Sequence, residues 1–228
     1  MTKLIGLVGF AGSGKDTVAS YLNQELDFNK VAFAAALKDV LAAMFGWPRD
    51  MIEGATKESR AWREEPDLWW EENLNWSKHP LSRLRARFTP RAAMQLVGTN
   101  LLRKEFCDGL WLLRVKKQLE ETLSDPILVS NKIVITDCRF PNEIRLIKEK
   151  GGSIIRVRRG SDPSWFNIAV DAMDENSATR LVSQEYMVDT GIHESEWAWA
   201  NSPVDIIVEN NGTLEELYSQ VEDVLKRL

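Results

Sequence analysis

The sequence predicts an α/β fold: a parallel sheet of about five strands, helices on both faces, and two insertions. Three observations predict it. Short apolar runs (LIGLV at 4–8, KIVIT at 132–136, SIIRV at 153–157) have the near-continuous hydrophobicity of strands covered on both faces. Helical patterns alternate with these runs, as parallel crossovers require. A glycine-rich loop leads from the first run directly into the first helical pattern.

The elements follow in order. Leu4–Val8 is a buried strand ended by Gly9. From Gly14 to Leu26 a helix places Val18, Ala19, Leu22 and Leu26 on one face. Val31–Phe33 is a short second strand, and Ala36–Phe45 a helix stopped by Gly46 and Pro48. From about 47 to 88 the chain leaves this pattern. Trp47, Trp62, Trp69, Trp70 and Trp76 sit among charges without a period. They read either as the packing of a small subdomain or as a base-stacking wall; the weight of buried aromatics in core energetics favours packing. Thr89-Pro90 caps and starts a helix that runs to about Phe106, and Leu110–Leu123 is the next. Lys132–Thr136 is a strand, Asn142–Lys150 a helix ended at Gly151, and Ser153–Val157 a strand. Residues 160–202 form a mostly polar, lid-like insertion. Asp205–Val208 is the last strand, Asn211-Gly212 a turn, and Thr213 with Glu216 a capping box for a closing helix over 214–228.

Composition narrows the function classes. The formal charge of −5, from 34 acidic and 29 basic residues, argues against a general nucleic-acid coat, and no stable nucleic-acid partner is expected. No apolar run is long enough to span a bilayer, so no membrane role is expected. Cys107, Cys138, His79 and His193 are scattered, which excludes a disulfide framework and makes a zinc site improbable. A reducing cytoplasm is the expected compartment.

Gly9 to Lys15 (GFAGSGK) matches GxxxxGK between a strand and a helix, the context the motif requires. Glycines let backbone N–H groups turn inward around a phosphate, and the helix adds its positive end. Lys15 then reaches the β- and γ-phosphates. The residue after Lys15 is Asp16 rather than Ser or Thr, with Thr17 following. Asp16 could ligate magnesium, directly or through water, or orient the acceptor. The motif establishes nucleotide binding but does not separate kinase, ATPase and switch.

A kinase on such a sheet needs a second anion site, for which Lys38, Arg60, Arg63, Arg91 and Arg139 are candidates. A lone arginine is more often a solvated charge. Three positions improve on that. Lys38 follows the second strand, Arg91 lies in the first turn of the Thr89 helix, and Arg139 stands two residues after Asp137, the acid closing the strand at 132–136. Asp137 reads as a magnesium-organising carboxylate or as an acceptor for a sugar hydroxyl.

Taken together these segments resemble the bacteriophage deoxynucleoside monophosphate kinases, and so a three-layer P-loop kinase fold. GFAGSGKDT, FAAALKDVL, PRAAMQLVGTNLLRKEFCDGLW, VITDCRFPNEIRLIKEKGGSIIRVRR and IIVENNGTLEELYSQVEDVL occur in the family's order, from residue 5 to residue 225. The resemblance implies one kinase domain over 1–228. It implies ATP and Mg²⁺ as cofactors, a deoxynucleoside monophosphate as substrate, and the host cytoplasm as location. By position, Gly12, Ser13, Gly14, Lys15, Asp16 and Thr17 would hold the ATP phosphates, with Asp16 and Thr17 at the metal and Arg158 or Arg159 against adenine. Lys38, Arg60, Arg91, Gly98, Thr99, Trp111, Asp137, Arg139 and Glu143 would line the acceptor site. Lys15, Asp16 and Arg139 would be catalytic. His193 and Glu194 would close the lid, and exposed tryptophans would point to a homodimer. Two other readings stay open. One is a different small-molecule P-loop kinase, acting on dephospho-coenzyme A or phosphomevalonate. The other is a nucleotide-dependent module for single-stranded nucleic acid.

Overall fold

The computed structural model describes residues 3–83, 85–124 and 131–228. The chain divides into two compact units, one of residues 1–33 and 112–228, the other Ala34–Trp111. The tryptophan-rich excursion falls inside the second, apart from Leu84, which lies outside the described residues.

The first unit is built on five parallel strands: β1 (Lys3–Val8), β2 (Asn29–Val31), β3 (Lys132–Ile135), β4 (Ser153–Arg158) and β5 (Ile206–Glu209). Their spatial order is β2-β3-β1-β4-β5. β1 pairs Leu4 with Ile133 on one side and Gly6 with Ile154 on the other. Strand residues alternate between two covered faces. On one face Ile5, Leu7, Val134, Ile155, Val157 and Val208 pack with Val18 and Leu22 of helix α1 (Lys15–Leu26) and with Leu217, Val221 and Val224 of the C-terminal helix over 214–227. On the other, Gly6 lies against Ile147 of the helix over 141–149; a methyl group at Gly6 would sit 2.6 Å from the Ile147 Cδ1. This is a three-layer α/β fold, a parallel sheet between two layers of helices. Because α1 and the 141–149 helix leave β1 and β3 toward opposite edges, the crevice for a ligand opens at the carboxyl ends of these two adjacent strands.

The second strand ends two residues earlier than the sequence suggests. Val31 is the last residue in register, paired with Ile135. Beyond it the Phe33 N–H donates to the Asp137 carboxylate at 2.8 Å, which draws the backbone out of the ladder. The insertion at 160–202, read as mostly polar, has a small core of its own. After α2 to α8 (Ala35–Phe45, Arg49–Glu53, Lys57–Trp62, Leu68–Asn73, Pro90–Gln95, Leu110–Ser124, Pro141–Glu149) come α9 (Phe166–Met173) and α10 (Arg180–Asp189), packed together around Ala169, Ala172, Met187 and Trp197. Asp171 ties them, accepting hydroxyl bonds from Ser177, Thr179 and Ser183. The last helix, α11 (Leu214–Arg227), starts at the expected box: the Thr213 hydroxyl accepts from the Glu216 N–H and the Glu216 carboxylate from the Thr213 N–H.

The second unit holds α2 to α6 and a π-helix over Leu96–Phe106 that continues α6 without a break. Its final wide turn closes with a bond from the Cys107 N–H to the Leu102 carbonyl at 2.9 Å. The tryptophans pack. Trp47 and Trp76 are buried, and Phe45, Trp47, Trp62, Trp70, Trp76 and Phe88 form a continuous aromatic cluster. Trp47 Nε1 donates to Asp67 and Trp70 Nε1 to the Phe45 carbonyl, so the polar ends of both rings are satisfied. Trp69 alone of the five is largely exposed, at 61%.

Candidate active site

The phosphate loop is set by three glycines with positive φ: Gly9 (141°), Gly12 (79°) and Gly14 (103°). A Cβ at Gly9 would lie 2.3 Å from the Val157 carbonyl oxygen, and one at Gly14 2.3 Å from Asn210 Nδ2. A side chain at Gly9 would strike backbone, and one at Gly14 would be strained at its φ and displace Asn210. Asn210, just after β5, fixes the loop by donating to the Ser13 carbonyl at 2.9 Å. Gly12 faces open space. The Ser13 hydroxyl is buried within the loop and makes no hydrogen bond among the described residues. A buried polar group without a partner calls for one, and a phosphate oxygen meets that need.

Lys15 opens α1 and folds back over the loop, its Nζ donating to the Gly9 and Phe10 carbonyls at 2.7 and 2.8 Å. Burial, and secondly the neighbouring Arg139 charge, pull the Lys15 ammonium down to about 8; Asp16, Glu196 and Asp137 oppose the shift. These five groups therefore share one electrostatic neighbourhood at the carboxyl ends of β1 and β3. Thr17 follows on α1, half-buried.

The turn after β3 carries Asp137 and Arg139, and Glu143 holds its shape. The Glu143 side chain, 2% exposed, accepts the Arg139 and Phe140 N–H groups at 2.8 and 3.1 Å. The Arg139 guanidinium meets the insertion through one nitrogen. Its Nη1 donates to Glu196 Oε1 at 2.8 Å and to the Ser195 carbonyl and hydroxyl at 3.3 and 3.4 Å. Glu196 lies where the sequence offered His193 and Glu194 as closing residues. His193 caps the short turn at 194–196, its Nδ1 2.9 Å from the Ser195 hydroxyl.

Phe10 joins the loop to the insertion. Its ring packs on Trp165, Phe166 and Trp199, and the Arg156 guanidinium lies 4.6 Å from the Phe166 centroid and 5.1 Å from that of Trp199. Arg156 also pairs with Asp162. Arg158, proposed from sequence for adenine, is bound to Glu209 (Nε to Oε1 2.9 Å), while Arg159 is exposed.

The remaining candidates lie in the second unit. Lys38 pairs with Glu53 at 2.7 Å, and Arg49 holds the other oxygen of that carboxylate at 2.6 Å. Arg91 pairs with Glu64, and its N–H donates to the Arg63 carbonyl. Thr89 caps this helix through the Ala92 N–H at 3.0 Å. Arg60 is exposed and bonds the Ala55 carbonyl. Gly98 and Thr99 lie in the π-helix, and the buried Trp111 donates its Nε1–H to the Gly98 carbonyl at 3.1 Å. Among the candidates the structure thus brings together Lys15, Asp16, Asp137, Arg139 and Glu143 in the first unit, and Gly98 and Trp111 in the second.

No family model matches the chain. It is 32% identical over 224 residues to a protein of Acanthamoeba polyphaga mimivirus named as a deoxynucleotide monophosphate kinase, covering 96% of this chain and 93% of that one. The chain belongs to the deoxynucleotide monophosphate kinase family. The deoxynucleoside-5'-monophosphate kinase of Escherichia phage T5 is 28% identical over 65% of this chain and 73% of its own. Among solved structures, TT1252 from Thermus thermophilus aligns over 100% of this chain and 98% of that one, at 20% identity and a TM-score of 0.42. For a deoxynucleotide monophosphate kinase, the residues missed by the sequence reading are Glu196, Ser195 and Asn210. Each lies far along the chain from the group it contacts and carries no motif of its own.

Proposed function

We propose that the chain transfers the γ-phosphoryl group of ATP to deoxynucleoside monophosphates, giving the diphosphates. One observation carries the reading: in a chain of this family, Lys15 and Arg139 stand in one neighbourhood at the mouth of a glycine-built phosphate loop. Phosphoryl transfer asks for alignment and charge neutralisation rather than covalent help. Lys15 would exchange its two carbonyl bonds for phosphate oxygens, and Arg139 would offset charge on the transferring group. Arg91 and Lys38 would hold the acceptor phosphate, whose oxygen is already ionised at neutral pH. Trp111 and Thr99 would help shape the acceptor's sugar and base pocket.

The donor set fits magnesium carried by the nucleotide. Among the described residues no cluster of three or more His, Cys, Asp or Glu forms a metal cage, and magnesium ordinarily binds through one or two protein oxygens plus substrate phosphates. Asp16 and Thr17 would supply those oxygens. The metal, when bound, neutralises phosphate charge. The insertion at 160–202 would exclude water from the phosphates, and the enzyme would work in the host cytoplasm; no described helix is long and apolar enough to cross a membrane.

The test is ATP-dependent diphosphate formation from dTMP, dGMP, dCMP and dAMP, their ribose counterparts and dephospho-coenzyme A, with Lys15→Ala alongside. Turnover of deoxynucleotides that disappears in the variant is the expected result. ATP binding with no deoxynucleotide turnover, or turnover of dephospho-coenzyme A alone, would refute the assignment.

A further inference from the structure

The contact between Arg139 and the insertion is one-sided. Nη1 makes every side-chain bond of this guanidinium, to Glu196 and Ser195, while Nε and Nη2 make none among the described residues. The two nitrogens of an arginine edge match two phosphate oxygens, so a guanidinium fastened through Nη1 presents its Nε–Nη2 edge ready to bind. The fastening is itself braced. The Glu196 backbone carbonyl accepts the Trp199 indole N–H at 3.1 Å, and the Trp199 ring packs on Phe10 of the phosphate loop, centroids 5.1 Å apart. Trp197, next in sequence, is buried in the insertion's own core and donates to the Ile192 carbonyl at 3.2 Å. From the other side, Glu143 fixes the Arg139 backbone. Arg139 is thus held at both ends, and its distal end is referenced to the loop through Glu196, Trp199 and Phe10.

We infer that Glu196 is a positioning residue: it holds Arg139 by one nitrogen so that the opposite edge meets the γ-phosphoryl group. The inference rests on the kinase reading only in naming that group. An unheld arginine side chain has many rotamers, and freezing it at the moment of binding costs affinity that pre-organisation saves. A simple opposing view is that Glu196 is a negative charge near a phosphate site and therefore repels the nucleotide. The two views predict opposite signs.

The experiment is calorimetric titration of magnesium ADP and of a non-hydrolysable magnesium ATP analogue, on wild type, Glu196→Ala, Arg139→Ala and the double variant. We expect Glu196→Ala to weaken the ATP analogue by roughly tenfold and to leave ADP within about twofold. Arg139→Ala should do the same, and the double variant should be no worse than Arg139→Ala alone. Glu196→Gln, which keeps an acceptor oxygen at the same reach, should recover most of the loss. Tighter binding of both nucleotides in Glu196→Ala would overturn the inference in favour of simple repulsion. Equal weakening of ADP and analogue, or additive losses in the double variant, would reduce Glu196 to a structural support. Loss of nucleotide binding by the wild type would remove the inference and the kinase reading together. Should the analogue bind and no monophosphate be phosphorylated, only the acceptor assignment fails, and the cycle still decides the role of Glu196. A folding defect in Glu196→Ala would shift the test to Glu196→Asp, whose shortened reach should weaken the analogue selectively; no such selectivity would again overturn it.

Discussion

Replacing Lys15 by methionine should abolish phosphoryl transfer and yet make the protein more stable at neutral pH. The structure gives the sign. Lys15 is held over the loop beside Arg139 with its pKa lowered from 10.5 to about 8. At pH 7 the ammonium is charged in both folded and unfolded states, but the folded site holds that charge at a cost. Each pKa unit corresponds to 1.36 kcal/mol, so the cost is about 3 kcal/mol as an upper bound. The carbonyl bonds to Gly9 and Phe10, lost with the amine, return part of it. A net gain of about 1–2 kcal/mol remains, or several degrees in Tm for a chain of this length. The pH dependence is the sharper test. Below pH 8 the penalty is fully present. Between about 8 and 10.5 the folded state releases its proton while the unfolded state keeps it, so wild-type stability rises. Thermal unfolding of both proteins from pH 7 to 10 should therefore show the methionine variant ahead at pH 7 and the difference shrinking above pH 8. Nucleotide affinity of the wild type should fall over the same range, as the ammonium is lost. A variant less stable than wild type at pH 7, with a parallel pH profile, would refute the reasoning.

Two further substitutions test the supports of the site. Glu143→Ala leaves the Arg139 and Phe140 N–H groups without their buried acceptor and should cost about 2–4 kcal/mol, seen as a lower urea midpoint at unchanged m; a loss under about 0.5 kcal/mol would show that water replaces the carboxylate. Gly98→Ala should fail to give the roughly 1 kcal/mol that helix propensity promises, because the new methyl would lie 2.4 Å from Leu37 Cδ2. The loss should shrink in a Leu37→Ala background, and equal effects in both backgrounds would place the strain elsewhere.

Much of the first unit was legible in the sequence because local rules and the fold agree there. The apolar runs became strands, the glycine loop sits at the carboxyl end of β1, and Thr213 and Glu216 cap α11. Lys15, Asp137 and Arg139 could be placed at one sheet edge because parallel topology leaves them no other. The exceptions have physical causes. The second strand was cut short by a side chain a hundred residues away, since the Asp137 carboxylate takes the Phe33 N–H. Residues 160–202 hid their core because few apolar side chains suffice when two short helices are tied by hydroxyls converging on Asp171. The π-helix at 96–106 gives no signal that distinguishes its hydrogen-bond span from that of an α-helix. Glu196 was missed because its role depends on the partner it meets and not on its neighbours in sequence.

The acids opposite the proposed phosphate-binding cations are not equivalent, and the difference bears on how a chain of net charge −5 receives two polyanions. Glu53 and Glu64, paired with Lys38 and Arg91, have side chains 44% and 55% exposed, while the cations are 13% and 28% exposed. Such acids sit on the solvent side of their pairs. Partly exposed carboxylates of this kind are weaker partners than buried ones, which would let an arriving phosphate take their place. Arg139 and Glu196 reverse the order: the acid is 22% exposed and the arginine 39%. Here the carboxylate is the more buried member of the pair. On the proposed reading, Lys38 and Arg91 would exchange their carboxylates for the acceptor phosphate, and Arg139 would keep Glu196 while gaining the transferring group. That division suits the chemistry proposed, in which the acceptor phosphate enters and leaves as a whole, whereas the transferring group must find its charge partner already aligned.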